Sequence, residues 1–139
     1  MKLKFDSNLD YQTEAVNAVT DLFKGQNSMY QYFTVSGQAT LDSTQGIGNK
    51  IDISNEDILE NLRKVQKYHK IAPSESLNEN HLDFNIEMET GTGKTYVYLK
   101  TIFELNKIYG FTKFIIVVPS VAIKEGVYKT IEITRDHFK

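Results

Sequence analysis

The stretch from Asp83 to Ile108 leaves this chain few ways to fold. Phe84-Asn85-Ile86-Glu87-Met88 has the make-up of a short buried strand, Glu89-Thr90-Gly91-Thr92-Gly93-Lys94-Thr95 follows, and Tyr96 to Ile108 then carries Val97, Leu99, Ile102, Phe103 and Leu105 at helical spacing. Strand end, glycine loop and helix start in that order are the setting a phosphate-binding loop requires. Gly91 and Gly93 let the backbone curl so that successive N–H groups face inward. The helix beginning near Lys94 adds its positive dipole end. Lys94 is a cation placed to reach β- and γ-phosphates, and Thr95 offers a hydroxyl to Mg²⁺, which keeps most of its waters and takes few protein ligands. The bland alternative is a glycine turn before an ordinary helix. The strict pattern G-x-x-x-x-G-K-[ST] opens on glycine, whereas Met88 stands at that position here.

With 139 residues, 40% hydrophobic and 24% charged, the chain has enough material for one domain with a core. A net charge of −2 gives no global nucleic-acid signature, so any DNA contact would be local. Without cysteine there are no disulfides or thiolate metal sites, and His69, His81 and His137 have no metal-ligand spacing. Met1 to Asp6 lacks a signal core, and the longest apolar run, Phe114 to Val118, is only of strand length. A cytoplasmic protein is the expectation.

In order, Leu3 to Phe5 reads as a short strand or extended lead-in, and Asp6-Ser7-Asn8 as a turn able to cap a helix from Tyr11 to Lys24 with Ala15, Val16, Val19, Leu22 and Phe23 on one face. Gly25 is its stop. Within it, Gln12 carries a paired donor and acceptor that match one edge of adenine, although a helical glutamine is more often simply solvated. Gln26 to Asp52 is polar, with strand-like runs at Tyr32 to Val35 and Lys50 to Ile53; Gly46-Ile47-Gly48 there reads as a turn. Ser54, with Asp57 three residues on, signals a helix running to about Lys70, with Ile58, Leu59, Leu62, Val65 and Ile71 as apolar candidates. Its basic side, Arg63, Lys64, Lys67 and Lys70, reads better as a solvated face than as a DNA surface. Ala72 to Ser76 is a returning loop. Gly110 ends the central helix, Lys113 to Val118 reads as a parallel strand buried on both faces, and Val121 to about Phe138 as a further helix with Ala122, Ile123, Val127, Ile131 and Ile133 as apolar candidates. Two strand–helix units in succession predict a parallel sheet flanked by helices, joined by a right-handed crossover, with ligands at the strands' carboxyl ends.

Taken together, Leu9 to Val16, Met88 to Tyr96, Gly46 to Lys50 and Phe111 to Val127 resemble the glutamine motif, motif I, the polar insertion and the motif Ia region of the Res subunit of type III restriction enzymes, a superfamily 2 helicase-like ATPase. The resemblance covers nearly the whole chain. Small-molecule kinases usually keep the glycine that Met88 replaces, whereas superfamily 2 helicases often do not. The implied fold is α/β: part of a P-loop NTPase (RecA-like) motor domain with a polar α+β insertion before the P-loop. Residues 1–25 would form the glutamine-motif region, 26–80 the insertion, and 81–139 a P-loop and motif Ia βαβα unit. The implied cofactors are ATP and Mg²⁺. Gln12 would recognise adenine, and Thr90, Gly91, Thr92, Gly93, Lys94 and Thr95 would hold the triphosphate, with Lys94 and Thr95 catalytic and Thr95 on the metal. Pro119, Ser120 and Lys124 would contact the backbone of double-stranded DNA, although Lys124 reads equally well as an exposed helix lysine. The implied partner is the DNA-methylating Mod subunit.

An ATPase of this class also uses an Asp-Glu motif that holds Mg²⁺ and positions the attacking water, and none follows Thr95. The expectation is therefore a fragment, inactive alone, with an exposed sheet edge. Two other readings stand beside it: part of a superfamily 2 repair helicase, and a non-catalytic nucleotide-binding module. A nucleoside or shikimate-type kinase fits less well, because some eighty residues precede the loop.

Overall fold

The computed structural model describes residues 9–28, 49–78 and 81–134. Four α-helices make up its regular structure: α1 (Asp10–Thr20), α2 (Asn55–Tyr68), α3 (Lys94–Tyr109) and α4 (Val121–Thr134), with a 3₁₀ turn at Asp21–Phe23 after α1. The expected lead-in strand, the Asp6-Ser7-Asn8 cap, Tyr32 to Val35, Gly46 to Gly48 and the helix end at Phe138 lie outside the described residues. Leu9 occupies the N-cap position of α1, with no side-chain cap.

Each helix boundary has a local cause. Ser54 opens α2 through a capping box: the Asp57 N–H donates to Ser54 Oγ (3.1 Å), and Ser54 N–H donates back to the Asp57 carboxylate (3.3 Å). The far end of α2 turns through Lys70 in the left-handed region (φ 58°), where the Ile71 N–H reaches back to the Gln66 carbonyl at 2.8 Å. α3 is bracketed by two left-handed glycines, Gly93 and Gly110, the second donating to the Asn106 carbonyl at 2.8 Å. Ser120 caps α4 by accepting from the Ile123 N–H at 3.3 Å.

α1 lies along α3, and α2 packs on the 3₁₀ turn. At the far end from the glycine loop, Phe23, Tyr109 and Phe111 form an aromatic cluster, with centroids 5.5 Å apart for Phe23–Phe111 and 6.1 Å for Phe23–Tyr109, both edge-on. Leu105, Val19 and Phe114 pack around it. The Tyr109 hydroxyl donates to the Thr20 carbonyl at 2.8 Å, fixing the end of α1 on the end of α3. Side-chain amides make the other long-range ties. Asn61 donates to the carbonyls of Leu22 and Lys24, Gln26 bridges the main chain of Lys50 and Asp52, and Asn49 accepts from the N–H groups of Thr112 and Lys113. Arg63 and Gln66 hold the loop at Ser74 and Glu75, so Arg63, read from sequence as part of a solvated basic face, has a structural use.

The expected α/β fold is corrected here. Among the described residues there is no strand and no sheet, hence neither a crossover nor a sheet edge, and the RecA-like parallel sheet is overturned. Residues 84–88 and 113–118 run without regular structure, as does 50–53. A strand exists through the ladder bonds of a neighbour, and among the described residues no backbone hydrogen bond joins 84–88 to 113–118. Instead of being buried on both faces, Ile115 and Val117 are 92% and 87% exposed; only Phe114 reaches the aromatic cluster. Burial on the helices also differs in part. Val16, Leu22, Ile58, Val97, Leu99, Leu105 and Val127 are buried as expected, whereas Phe103, Ile71, Ile123, Ile131 and Ile133 are exposed. Among the described residues no helix is long and apolar enough to cross a membrane.

Candidate functional site: the glycine loop at the start of α3

The loop is shaped by two glycines at positive φ, Gly91 (78°) and Gly93 (82°), in the left-handed region that a Cβ disfavours. Its two sides differ. Nothing lies within 4 Å of where a Gly91 Cβ would stand, so that side is open; a Cβ on Gly93 would stand 2.7 Å from Gln12 Nε2. Gly93→Ala therefore meets both backbone strain and a clash. We expect it to destabilise the chain by about 1–3 kcal/mol, read as a lowered thermal midpoint, while Gly91→Ala, strained but unobstructed, costs less. Equal midpoints for the two variants would contradict this close approach of α1.

Gln12 is the contact. It is 7% exposed on the face of α1 that meets α3, and its Nε2 donates to the Thr92 carbonyl at 2.9 Å, across 80 residues of sequence. Its Oε1 is buried and accepts no hydrogen bond. The glutamine is thus neither solvated nor pointing away from the loop. On the loop itself the Glu89 carbonyl accepts twice, from Lys94 Nζ (2.5 Å) and from Thr92 Oγ1 (2.7 Å). Sequence reasoning had no signal for Glu89, because a main-chain oxygen is present at every position. Thr95 sits half-buried in the first turn of α3, and Thr90 is exposed. An open cleft between α1, α2 and residues 82–89 ends at Gly91 and Thr92.

These residues fit a triphosphate with Mg²⁺. Lys94 rests on a neutral carbonyl, for which a phosphate oxygen would substitute a stronger, charge-assisted partner. The first turn of any helix presents main-chain donors without intrahelical acceptors, here beside an open glycine. Among the described residues no group of three or more His, Cys, Asp or Glu is placed to hold a metal by itself; the Thr95 hydroxyl, in the first turn of α3, is a side chain that could join a phosphate-bound Mg²⁺.

Pro119, Ser120 and Lys124 form a second group at the start of α4. No hydrogen bond joins them to the glycine loop among the described residues. Ser120 serves as the helix cap, and Lys124 Nζ lies 5.7 Å from the centre of the Tyr128 ring, a cation–π contact on an exposed face.

A positive-φ glycine loop, a lysine and a helix start converge on one point, an arrangement suited to an anionic ligand. The particular family follows from comparison with known proteins. Residues 7–138 match the family described as type III restriction enzyme, res subunit, and the chain belongs to that family. It is 34% identical over 137 residues to the Res subunit of the type III restriction-modification enzyme EcoP15I of Escherichia coli, covering 96% of this chain and 13% of that protein. Against the EcoPI Res subunit of Escherichia phage P1 it is 34% identical over 140 residues, 97% of this chain and 14% of the relative. The StyLTI Res subunit of Salmonella typhimurium is 50% identical over 58 residues, 40% of this chain and 6% of the relative. The chain therefore spans about one seventh of the length of the first two relatives.

Proposed function

We propose that this chain is the nucleotide-binding portion of a helicase-like, ATP-dependent DNA translocase of a type III restriction system. The observation that carries the reading is Lys94 held over the loop on a neutral carbonyl, at the N-terminal mouth of α3 and beside two left-handed glycines. Backbone donors of the loop and helix bind the phosphates, Lys94 neutralises their charge, and Thr95 joins the Mg²⁺. Bound ATP supplies the phosphoryl-transfer energy that such a motor couples to movement. Gln12 is the candidate adenine reader: its buried, unpaired Oε1 is the acceptor that the adenine amine complements.

Pro119, Ser120 and Lys124 are the proposed contacts to the backbone of double-stranded DNA. Such contacts hold the duplex without reading its sequence. A hydroxyl that still has a proton to donate and a lysine resting on an exposed ring are both available to phosphates. Sequence recognition would then belong to a methylating Mod partner in the complete enzyme.

Calorimetric titration with a non-hydrolysable ATP analogue and Mg²⁺ tests the nucleotide reading. We expect saturable, Mg²⁺-dependent binding at one site. A folded chain that gives no heat of binding would refute it.

A further inference from the structure

We propose that Gln12 is a positioning residue for the phosphate cradle, acting through the Thr92–Gly93 peptide as well as on any base. The inference rests on the phosphate-loop reading above.

A trans peptide is planar and its C=O and N–H point in opposite directions. Gln12 Nε2 holds the Thr92 carbonyl toward α1 at 2.9 Å. The N–H of Gly93, on the other side of the same peptide plane, is thereby turned away from α1. Gly93 is the N-cap residue of α3 and sits at φ 82°, so this donor belongs to the loop concavity in front of the helix start. A glycine loop without such a tie has no reason to keep this peptide in one orientation, since glycine adopts either sign of φ at little cost.

Three features make the tie specific. Gln12 is on the buried face of α1 in register with Val16 and Thr20, and Tyr109 fixes the other end of that helix on the Thr20 carbonyl, so Gln12 is presented from a held support. The close approach of Nε2 to Gly93 leaves the loop no room to shift toward α1. The buried Oε1 has no partner, so the side chain's hydrogen bonding to the loop runs through its donor. A residue conserving shape but lacking that donor removes the tie without opening a cavity.

The experiment compares inorganic tripolyphosphate with the ATP analogue, each with Mg²⁺, on four forms of the chain: wild type, Gln12→Glu, Gln12→Ala and Val16→Ala. Tripolyphosphate has no base, so it reads the cradle alone. Loss of one oriented donor to a charged ligand corresponds to about tenfold weaker binding or more. We expect Gln12→Glu and Gln12→Ala each to weaken tripolyphosphate by that factor. Val16→Ala, equally buried on the same helix face, should lower the thermal midpoint while leaving the affinity of the folded chain unchanged. Undiminished tripolyphosphate binding in both Gln12 variants would overturn the proposal, and a loss confined to the ATP analogue would assign Gln12 to the base alone. Equal weakening by Val16→Ala would reduce the tie to general packing and likewise overturn it. A folded wild-type chain that binds neither ligand would instead refute the phosphate-loop reading on which the proposal stands.

Discussion

Lys94→Ala is expected to abolish measurable triphosphate binding while leaving the fold intact. Hydrogen bonds to charged partners contribute about 1.5–3 kcal/mol each, and a lysine at this position adds the Coulomb attraction of a full positive charge to several phosphate oxygens. A loss of about 100-fold or more follows. Against the fold the cost is small. Lys94 is exposed and its partner is the Glu89 carbonyl, which keeps the Thr92 hydroxyl as a donor when the lysine is removed. The thermal midpoint should therefore correspond to a stability change within about 0.5 kcal/mol. Calorimetry and thermal unfolding on the same samples check both halves. Retained affinity with an unchanged midpoint would show that the loop is not the site. Lys107→Ala, an exposed lysine in the last turn of the same helix, is the control for charge alone.

Phe111→Ala is expected to produce the largest loss of stability among single truncations, about 3–5 kcal/mol. Its ring is 4% exposed and packs edge-on against Phe23 and at 5.9 Å from Tyr109, so truncation leaves a void where α1, the 3₁₀ turn and α3 meet. Native domains hold only about 5–15 kcal/mol in total, so this change takes a large share of it. Ile115→Ala is the informative partner. Ile115 looks more like a core residue in sequence, yet it is 92% exposed, and its truncation should cost less than about 0.5 kcal/mol. Urea unfolding followed by circular dichroism measures both. Equal midpoints for Phe111→Ala and Ile115→Ala would mean that the aromatic cluster is not the core.

The glycine loop and the helices around it were legible in the residues because their signals are local. Gly93 at the start of α3, Gly110 at its end and Ser54 with Asp57 at the start of α2 act within a few residues of one another, and the structure uses all of them. Helical periodicity located α1, α2, α3 and α4, but its apolar candidates include Phe103, Ile123 and Ile131, which are exposed, and it passed over the buried Tyr109. Amphipathic spacing says which residues share a face; it does not say whether another element covers that face. The strands failed for the same reason in sharper form. Phe114 to Val118 has the β-branched composition of a buried strand, but composition cannot supply the neighbour whose backbone completes the ladder, and none is present among the described residues.

Of the proposed site, the sequence alone placed the lysine, the glycines and the threonine at the mouth of a helix, because they are contiguous with its start. Family membership was likewise carried by the sequence, which matches the family over residues 7–138. Only the tertiary structure decided what Gln12 does between its two possible surroundings, water or loop. The contact spans 80 residues and depends on α1 lying along α3, held at one end by Tyr109 on Thr20 and at the other by Gln12 on Thr92. Side-chain chemistry is carried by each residue wherever it lies, whereas a buried hydrogen bond between distant segments exists only once packing has brought its two partners within reach.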